Sequence, residues 1–167
     1  MVLKEKKHRL PREFYKGEMS AAFTLCLKKD LGNVGGGFSL RDREVVNIFA
    51  NILTSVATKE RCIVPVYCFM DDHQHLIISG TGTDADLWKT VVSYKQKTGF
   101  WMSVNKPRMR WQKDFYDHVI RTKEDIVTQV RYIQDNPVRK CLASFWDEYS
   151  FKGSIGCDLE HFLNEIV

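Results

Sequence analysis

Y-C-F-M-D-D-H-Q-H-L-I-I-S, residues 67–79, is an apolar stretch broken by two aspartates and by a pair of histidines spaced i, i+2. The residues before the aspartates, R-C-I-V-P-V-Y-C-F-M from 61 to 70, have the β-branched and aromatic content of a strand, with Pro65 marking an edge or a bulge. The run after them, H-Q-H-L-I-I-S, reads as a second strand joined through a tight Asp71-Asp72 turn. Side chains alternate along a strand, so His73 and His75 share one face, counted here with Tyr67, Phe69, Asp71 and Ile77. Leu76 and Ile78 point the other way and suit a helix-covered core.

Working outward, A-A-F-T-L-C-L at 21–27 reads as an earlier strand. Val45, Phe49, Ile52, Leu53 and Val56 recur at helical spacing between Asp42 and Ala57. A second helix starts at T-D-A-D-L-W, capped by Thr83 or Asp84, and runs to about Phe100 with Leu87, Val91 and Tyr94 on one face. W-Q-K-D-F-Y-D-H-V-I-R, 111–121, reads as a fourth strand, and Thr122 with Asp125 opens a third helix that Asn136-Pro137 ends. The order β-α-β-β-α-β predicts an α+β, ferredoxin-like sheet with helices on one face, the other face open to ligand, and an additional C-terminal helix and tail.

The 167 residues, 44% hydrophobic and 28% charged, suit a single domain over 1–167, with a basic lead at 1–20 and a tail at 141–167. Five cysteines without C-x-x-C spacing read as reduced thiols, and no apolar run is long enough to cross a bilayer, which predicts a cytoplasmic protein. Gly35-Gly36-Gly37 reads as a loop tip, since no G-K-[ST] follows it. The net charge of +4 permits a polyanionic partner without demanding one. Its distribution says more: Lys4, Lys6, Lys7, Arg9, Arg12 and Lys16 face only Glu5 and Glu13, and Lys106, Arg108, Arg110 and Lys113 follow one another without an acid. Both segments could track a phosphate backbone, or serve only as solvated basic faces.

Two neutral imidazoles side by side make half of a divalent-metal site, although an H-x-H pair alone can equally satisfy surface hydrogen bonds. On the third helix Ile126, Val130 and Ile133 form the apolar stripe. At about 100° per residue, Tyr132 and Asn136 fall together on its flank, one turn apart. That spacing can present a phenol and an amide oxygen to one site.

These residues lie within R-L-P-R-E-F-Y-K-G, F-T-L-C-L, M-D-D-H-Q-H-L-I, S-Y-K-Q-K-T, W-Q-K-D-F-Y-D-H-V-I-R and R-Y-I-Q-D-N-P-V-R-K, whose order and spacing resemble the REP-associated tyrosine transposases, a branch of the single-tyrosine HUH single-strand DNA transposases. The resemblance implies that His73 and His75 are metal ligands for Mg²⁺ or Mn²⁺, that Asn136 stands where relatives carry an amide ligand, and that Tyr132 is the nucleophile. It implies cleavage and rejoining of single-stranded DNA through a 5′-phosphotyrosine, at hairpin-containing repeats. Arg9, Arg12, Arg108, Arg110 and Lys113 would then hold DNA, with Trp88, Trp101, Trp111 or Tyr116 as stacking faces; a homodimer is compatible with this. Two departures stand out: Gln74 fills a slot where the pattern expects an apolar residue, and M-D-D-H replaces M-P-N-H. The alternative that Gln74 motivates is a hairpin DNA or RNA binding module that has kept the fold and lost the chemistry.

Overall fold

The computed structural model describes residues 10–29 and 39–166; Arg9, the lysines before it and the Gly35-Gly36-Gly37 tip lie outside the described residues. Along the chain come a 3-10 turn (Arg12–Tyr15), β1 (Ser20–Cys26), α1 (Arg43–Lys59), β2 (Cys62–Phe69), β3 (His73–Gly80), α2 (Leu87–Asn105), β4 (Tyr116–Ile120), α3 (Lys123–Arg139), a short 3-10 turn (Trp146–Glu148), β5 (Lys152–Ile155) and α4 (Leu159–Ile166). The strands form one antiparallel sheet in the order β4-β1-β3-β2-β5. Its first four strands give the ferredoxin-like arrangement, and β5 adds a fifth to the far side of β2. Nothing in K-G-S-I announces a strand, yet Gly153 fits there because a methyl at that position would collide with the Tyr67 hydroxyl. Among the described residues no helix is long and apolar enough to cross a membrane.

The β2–β3 hairpin has the expected turn but not the expected parity. Met70 N–H donates to the His73 carbonyl across Asp71-Asp72, at 2.8 Å. Phe69 thereby pairs with Gln74, Cys68 with His75, Tyr67 with Leu76 and Val66 with Ile77. Directly opposed residues share a face, so His75 lies beside Cys68, whereas Tyr67 and Phe69 sit with Gln74 on the opposite side. Counting alternation straight through a turn is what misplaces them. Pro65 falls in a register shift between Ile63 and Val66, a bulge on an interior strand rather than an edge.

α1 and α2 cover one face through Val45, Phe49, Leu53, Leu87, Val91 and Tyr94, packed on Phe23, Phe69, Leu76 and Ile78. The second face is not left bare. α3 lays Ile126, Val130 and Ile133 over Val66, Cys68 and Ile77, and Tyr149 and Phe162 from the C-terminal segment extend this second core. The α2 cap is Asp86, whose carboxylate accepts from Lys89 N–H at 2.9 Å, rather than Thr83 or Asp84; Asp84 pairs with Arg61 instead. The helix also runs on to Asn105. Of the expected fourth strand only Tyr116–Ile120 forms, while Trp111 makes a single bridge to Leu27.

α3 does not stop at Pro137. A proline forfeits its N–H bond to the residue four before it, here Ile133, and crowds that residue's carbonyl, but in a last turn the closing bonds that follow still carry the helix end. Cys141 N–H donates to the Val138 carbonyl and Leu142 N–H to that of Pro137, with Cys141 at φ 55°. This is the Schellman closure, with cysteine at the left-handed position where glycine is usual.

Gln74 is fully buried, and its Oε1 accepts from the Tyr94 hydroxyl at 2.6 Å. Its Nε2 has no hydrogen-bond partner among the described residues. Tyr94→Phe should therefore cost about 1–3 kcal/mol by stranding the whole amide, whereas adding Gln74→Leu to it should restore stability to near wild type or above; urea unfolding of both variants checks this. Cys141→Gly should stabilise the chain by about 0.5–1 kcal/mol, because glycine carries no left-handed penalty but loses more freedom on folding. A destabilised glycine variant in the same assay would contradict the closure described for α3.

Candidate active site

The hairpin register and the α3 stripe together decide which polar side chains meet. Ile126, Val130 and Ile133 press α3 onto the sheet, and this brings its flank, Tyr132 and Asn136, over the His73–His75 end of β3. The two imidazoles stand edge to face with centroids 4.7 Å apart, and the Tyr132 ring meets His75 in the same manner at 5.6 Å. Asn136, 5% exposed, places Nδ2 2.8 Å from His75 Nε2. His73, His75, Tyr132 and Asn136 thus form one cluster. Tyr132 is 48% exposed, so its hydroxyl can be reached from solvent.

Second partners hold Nδ1 of each ring. Asp72 Oδ1 lies 2.7 Å from His73 Nδ1, and a carboxylate can only accept, so Nδ1 carries a proton and donates it. For His75, the Asn136 amide donates to Nε2, so Nδ1 carries the proton and donates to Thr24 Oγ1 at 2.8 Å. Burial first, then the charges of His73 and Arg139, pushes the His75 pKa down to about 3 and keeps the ring neutral. The Asp72 carboxyl is held below its ordinary range chiefly by its bond with His73.

This donor set fits a divalent cation. With Nδ1 of each ring held by its own partner, Nε2 is the nitrogen left to each for a cation, and a half-turn of the Asn136 amide exchanges its N–H for an oxygen beside His75 Nε2. Among the described residues no three His, Cys, Asp or Glu side chains gather around a common point, and Asn136 is the polar side chain that lies against His75 Nε2. Cys68 does not serve: burial pushes its thiol up to about 12, and its S–H is directed at Met70 Sδ.

Sequence reasoning missed three contributors. Thr24 is one hydroxyl in an apolar strand, and only the β1–β3 register places it opposite His75. Asp72 stood in plain view beside His73. Arg139, whose guanidinium lies 5.0 Å from the Tyr132 ring centre, was hidden by ending α3 at Pro137.

The basic residues divide. Arg12 lies 5.8 Å from the Trp88 ring, and Trp88, Arg110, Trp111, Lys113 and Phe115 line a groove of about 490 Å³ beside α2. Arg108 is exposed on the preceding turn, and Lys106 is 3.9 Å from Glu44, an acid remote in sequence. Trp101 packs edge to face on Phe49, and Trp111 is largely buried with its N–H on Thr98, so neither offers a free stacking face. Tyr116 is 64% exposed; it pairs with Thr24 and so lies on the histidine face. Tyr94 is fully buried, as expected.

The His75 environment has a measurable consequence in metal-free protein. Its folded pKa of about 3 lies below the unfolded value of about 6.5. The unfolded chain therefore takes up the proton first, and stability falls as pH drops from about 6.5 towards 3. The share from this residue is up to about 1.4 kcal/mol per pH unit. In EDTA, His75→Gln should flatten the pH dependence of urea stability between pH 6 and 4.5; identical slopes would mean that His75 is not held neutral.

A chain with this sheet and this cluster can be set beside known proteins. The family model for IS200-like transposases matches residues 39–136, more than half of the chain, from the segment before α1 to Asn136. Among solved structures, a REP-associated tyrosine transposase bound to a REP hairpin superimposes with a TM-score of 0.67 at 19% identity, over 87% of this chain and 82% of that one, and shares its fold. A bacterial tRNA(His) guanylyltransferase-like protein in complex with GTP matches at a TM-score of only 0.43 and 10% identity, over 82% and 74% of the two chains. No curated protein matches the chain. The family match runs through the hairpin, the histidine pair and the helix that carries Tyr132 and Asn136, and the chain belongs to the IS200-like transposase family.

Proposed function

We propose that the protein is a metal-dependent single-stranded DNA transposase and endonuclease that cleaves and rejoins strands through a 5′-phosphotyrosine on Tyr132. The observation that carries this reading is the meeting of an exposed phenol, two imidazoles and an amide at one point, built by β3 and α3. His73, His75 and Asn136 would hold Mg²⁺ or Mn²⁺, which when bound supplies electrophilic polarisation of a phosphoryl oxygen. The Tyr132 oxygen attacks phosphorus, the bond to the 3′ oxygen breaks, and the 5′ side of the strand remains on the tyrosine. The phenol proton leaves to solvent and the departing 3′ oxygen takes one up. The phosphotyrosine conserves the energy of the broken bond, so a free 3′-hydroxyl can reverse the step and rejoin the strand.

DNA reaches this point from the β4 side. The groove with Arg110 and Lys113, and Arg12 over its Trp88, lies on the α2 face, Tyr116 and His75 on the other, and a strand passing round the β4 edge touches both. The structural neighbour's REP hairpin supports a hairpin as the element held in the groove. Gln74 gives no support to an inactive binding module, because its side chain is on the far face and engaged with Tyr94.

The test is covalent trapping of a 3′-labelled pool of single-stranded DNA in Mg²⁺ or Mn²⁺. Wild-type protein should carry label through a denaturing gel, EDTA should abolish the band, and Tyr132→Phe should lose it while its DNA affinity stays within about twofold. His73→Ala and His75→Ala should each lose metal-dependent cleavage. An adduct that survives Tyr132→Phe, or that mass spectrometry locates on Tyr116, would refute the assignment. Charge-neutralising changes at Arg12, Arg108 and Arg110 should flatten the salt dependence of DNA binding.

A further inference from the structure

Arg139 lies one turn beyond Asn136, on the part of α3 that continues past Pro137. Its guanidinium sits over the Tyr132 ring, 5.0 Å from the centre, on the exposed side of the helix. Among the described residues no carboxylate pairs with it, so the Tyr132 ring is the contact that localises its charge. A stacked guanidinium keeps its fork of N–H donors available in the ring plane's neighbourhood, and the fork matches two phosphoryl oxygens.

We infer that Arg139 is a catalytic phosphate clamp: it holds a non-bridging oxygen of the phosphodiester that Tyr132 attacks, with the Tyr132 ring as its rest. This rests on the reading of Tyr132 as nucleophile. A phosphorus atom in line with the phenol oxygen, at the roughly 3–3.5 Å of a near-attack geometry, is separated from the guanidinium by little more than the ring. Arginine spans that distance by a change of rotamer, without moving the helix. Negative charge grows on the non-bridging oxygens as the phenol adds, and a fixed guanidinium stabilises it more than it stabilises the bound strand. The closure at Cys141 serves this role, since it ends α3 only after Arg139 has been delivered over the ring.

A purely structural role, in which Arg139 only packs against Tyr132, predicts a different pattern when the phosphate is altered. The test uses an oligonucleotide recovered from the wild-type adduct, made once as the normal phosphodiester and once with a neutral methylphosphonate at the cleaved linkage. On the phosphodiester, Arg139→Gln should form adduct roughly a hundredfold more slowly than wild type, with DNA affinity changed by less than about threefold. Arg139→Lys should recover part of that rate, as charge without the fork. On the methylphosphonate, wild type and Arg139→Gln should react within about twofold of each other, because the linkage no longer carries the negative charge that the guanidinium pairs with. Equal wild-type and Arg139→Gln rates on the phosphodiester, or the same hundredfold ratio on both substrates, would overturn the clamp while leaving Tyr132 in place. A wild-type protein that forms no adduct with any strand would overturn the nucleophile assignment and the clamp with it.

Discussion

Everything at the candidate site depends on the register of one hairpin turn. With Phe69 opposite Gln74 and Cys68 opposite His75, both imidazoles face α3 and the glutamine faces α2. A slip of one residue would exchange the two faces, burying the histidines among Phe49 and Leu53 and exposing Gln74 to α3. The turn is held from outside as well as within. Asp71 accepts from Ser39 Oγ and Arg41 Nε through its carboxylate and from Leu40 N–H through its carbonyl, while Asp72 accepts from Leu27 N–H. Burial draws the Asp71 carboxyl upward, but the bonds from Ser39 and Arg41 keep it below its ordinary range. What the aspartate side chains themselves add at M-D-D-H is the Asp71 carboxylate on Ser39 and Arg41 before α1 and the Asp72 carboxylate on His73; the bonds to Leu27 and Leu40 use the backbone alone.

The second departure is absorbed by the opposite core. Gln74 stands between Leu25 and Phe69 on neighbouring strands, and Tyr94 rises from α2 to meet it. One buried phenol and one buried amide satisfy each other in part, leaving the amide nitrogen with its two N–H donors without a partner among the described residues. The cost falls on stability and not on the chemistry across the sheet, because the pleat separates adjacent side chains onto opposite faces.

Function needs α3 to do two things that pull against each other. Its stripe must bury Ile126, Val130 and Ile133, while its flank must keep Tyr132 open and Asn136 closed. One turn of helix separates the two polar residues, and the sheet's surface falls between them, so the amide is covered and the phenol is not. The turn past Pro137 then carries Arg139 back over the ring.

Local pattern made much of this legible. The β-branched and aromatic runs of β2 and β3, the period of 3.6 in α1 and α3, the Thr122 cap and the i, i+4 spacing of Tyr132 and Asn136 are all short-range properties, and each reads directly from neighbouring residues. The pairing of His73 with His75 on one face is of the same kind. What the chain's order alone could not decide was which face that would be, since parity through a turn is set by cross-strand bonds and not by count. Thr24 reaches His75 from 51 residues away, β5 forms from four residues with little strand character, and α3 survives its proline because Leu142 and Cys141 close the end. Each of these depends on a partner brought near by folding. Periodicity belongs to the backbone of a single segment, whereas register, burial and the neighbours of a charge belong to pairs of segments, and only the tertiary structure brings the pairs together.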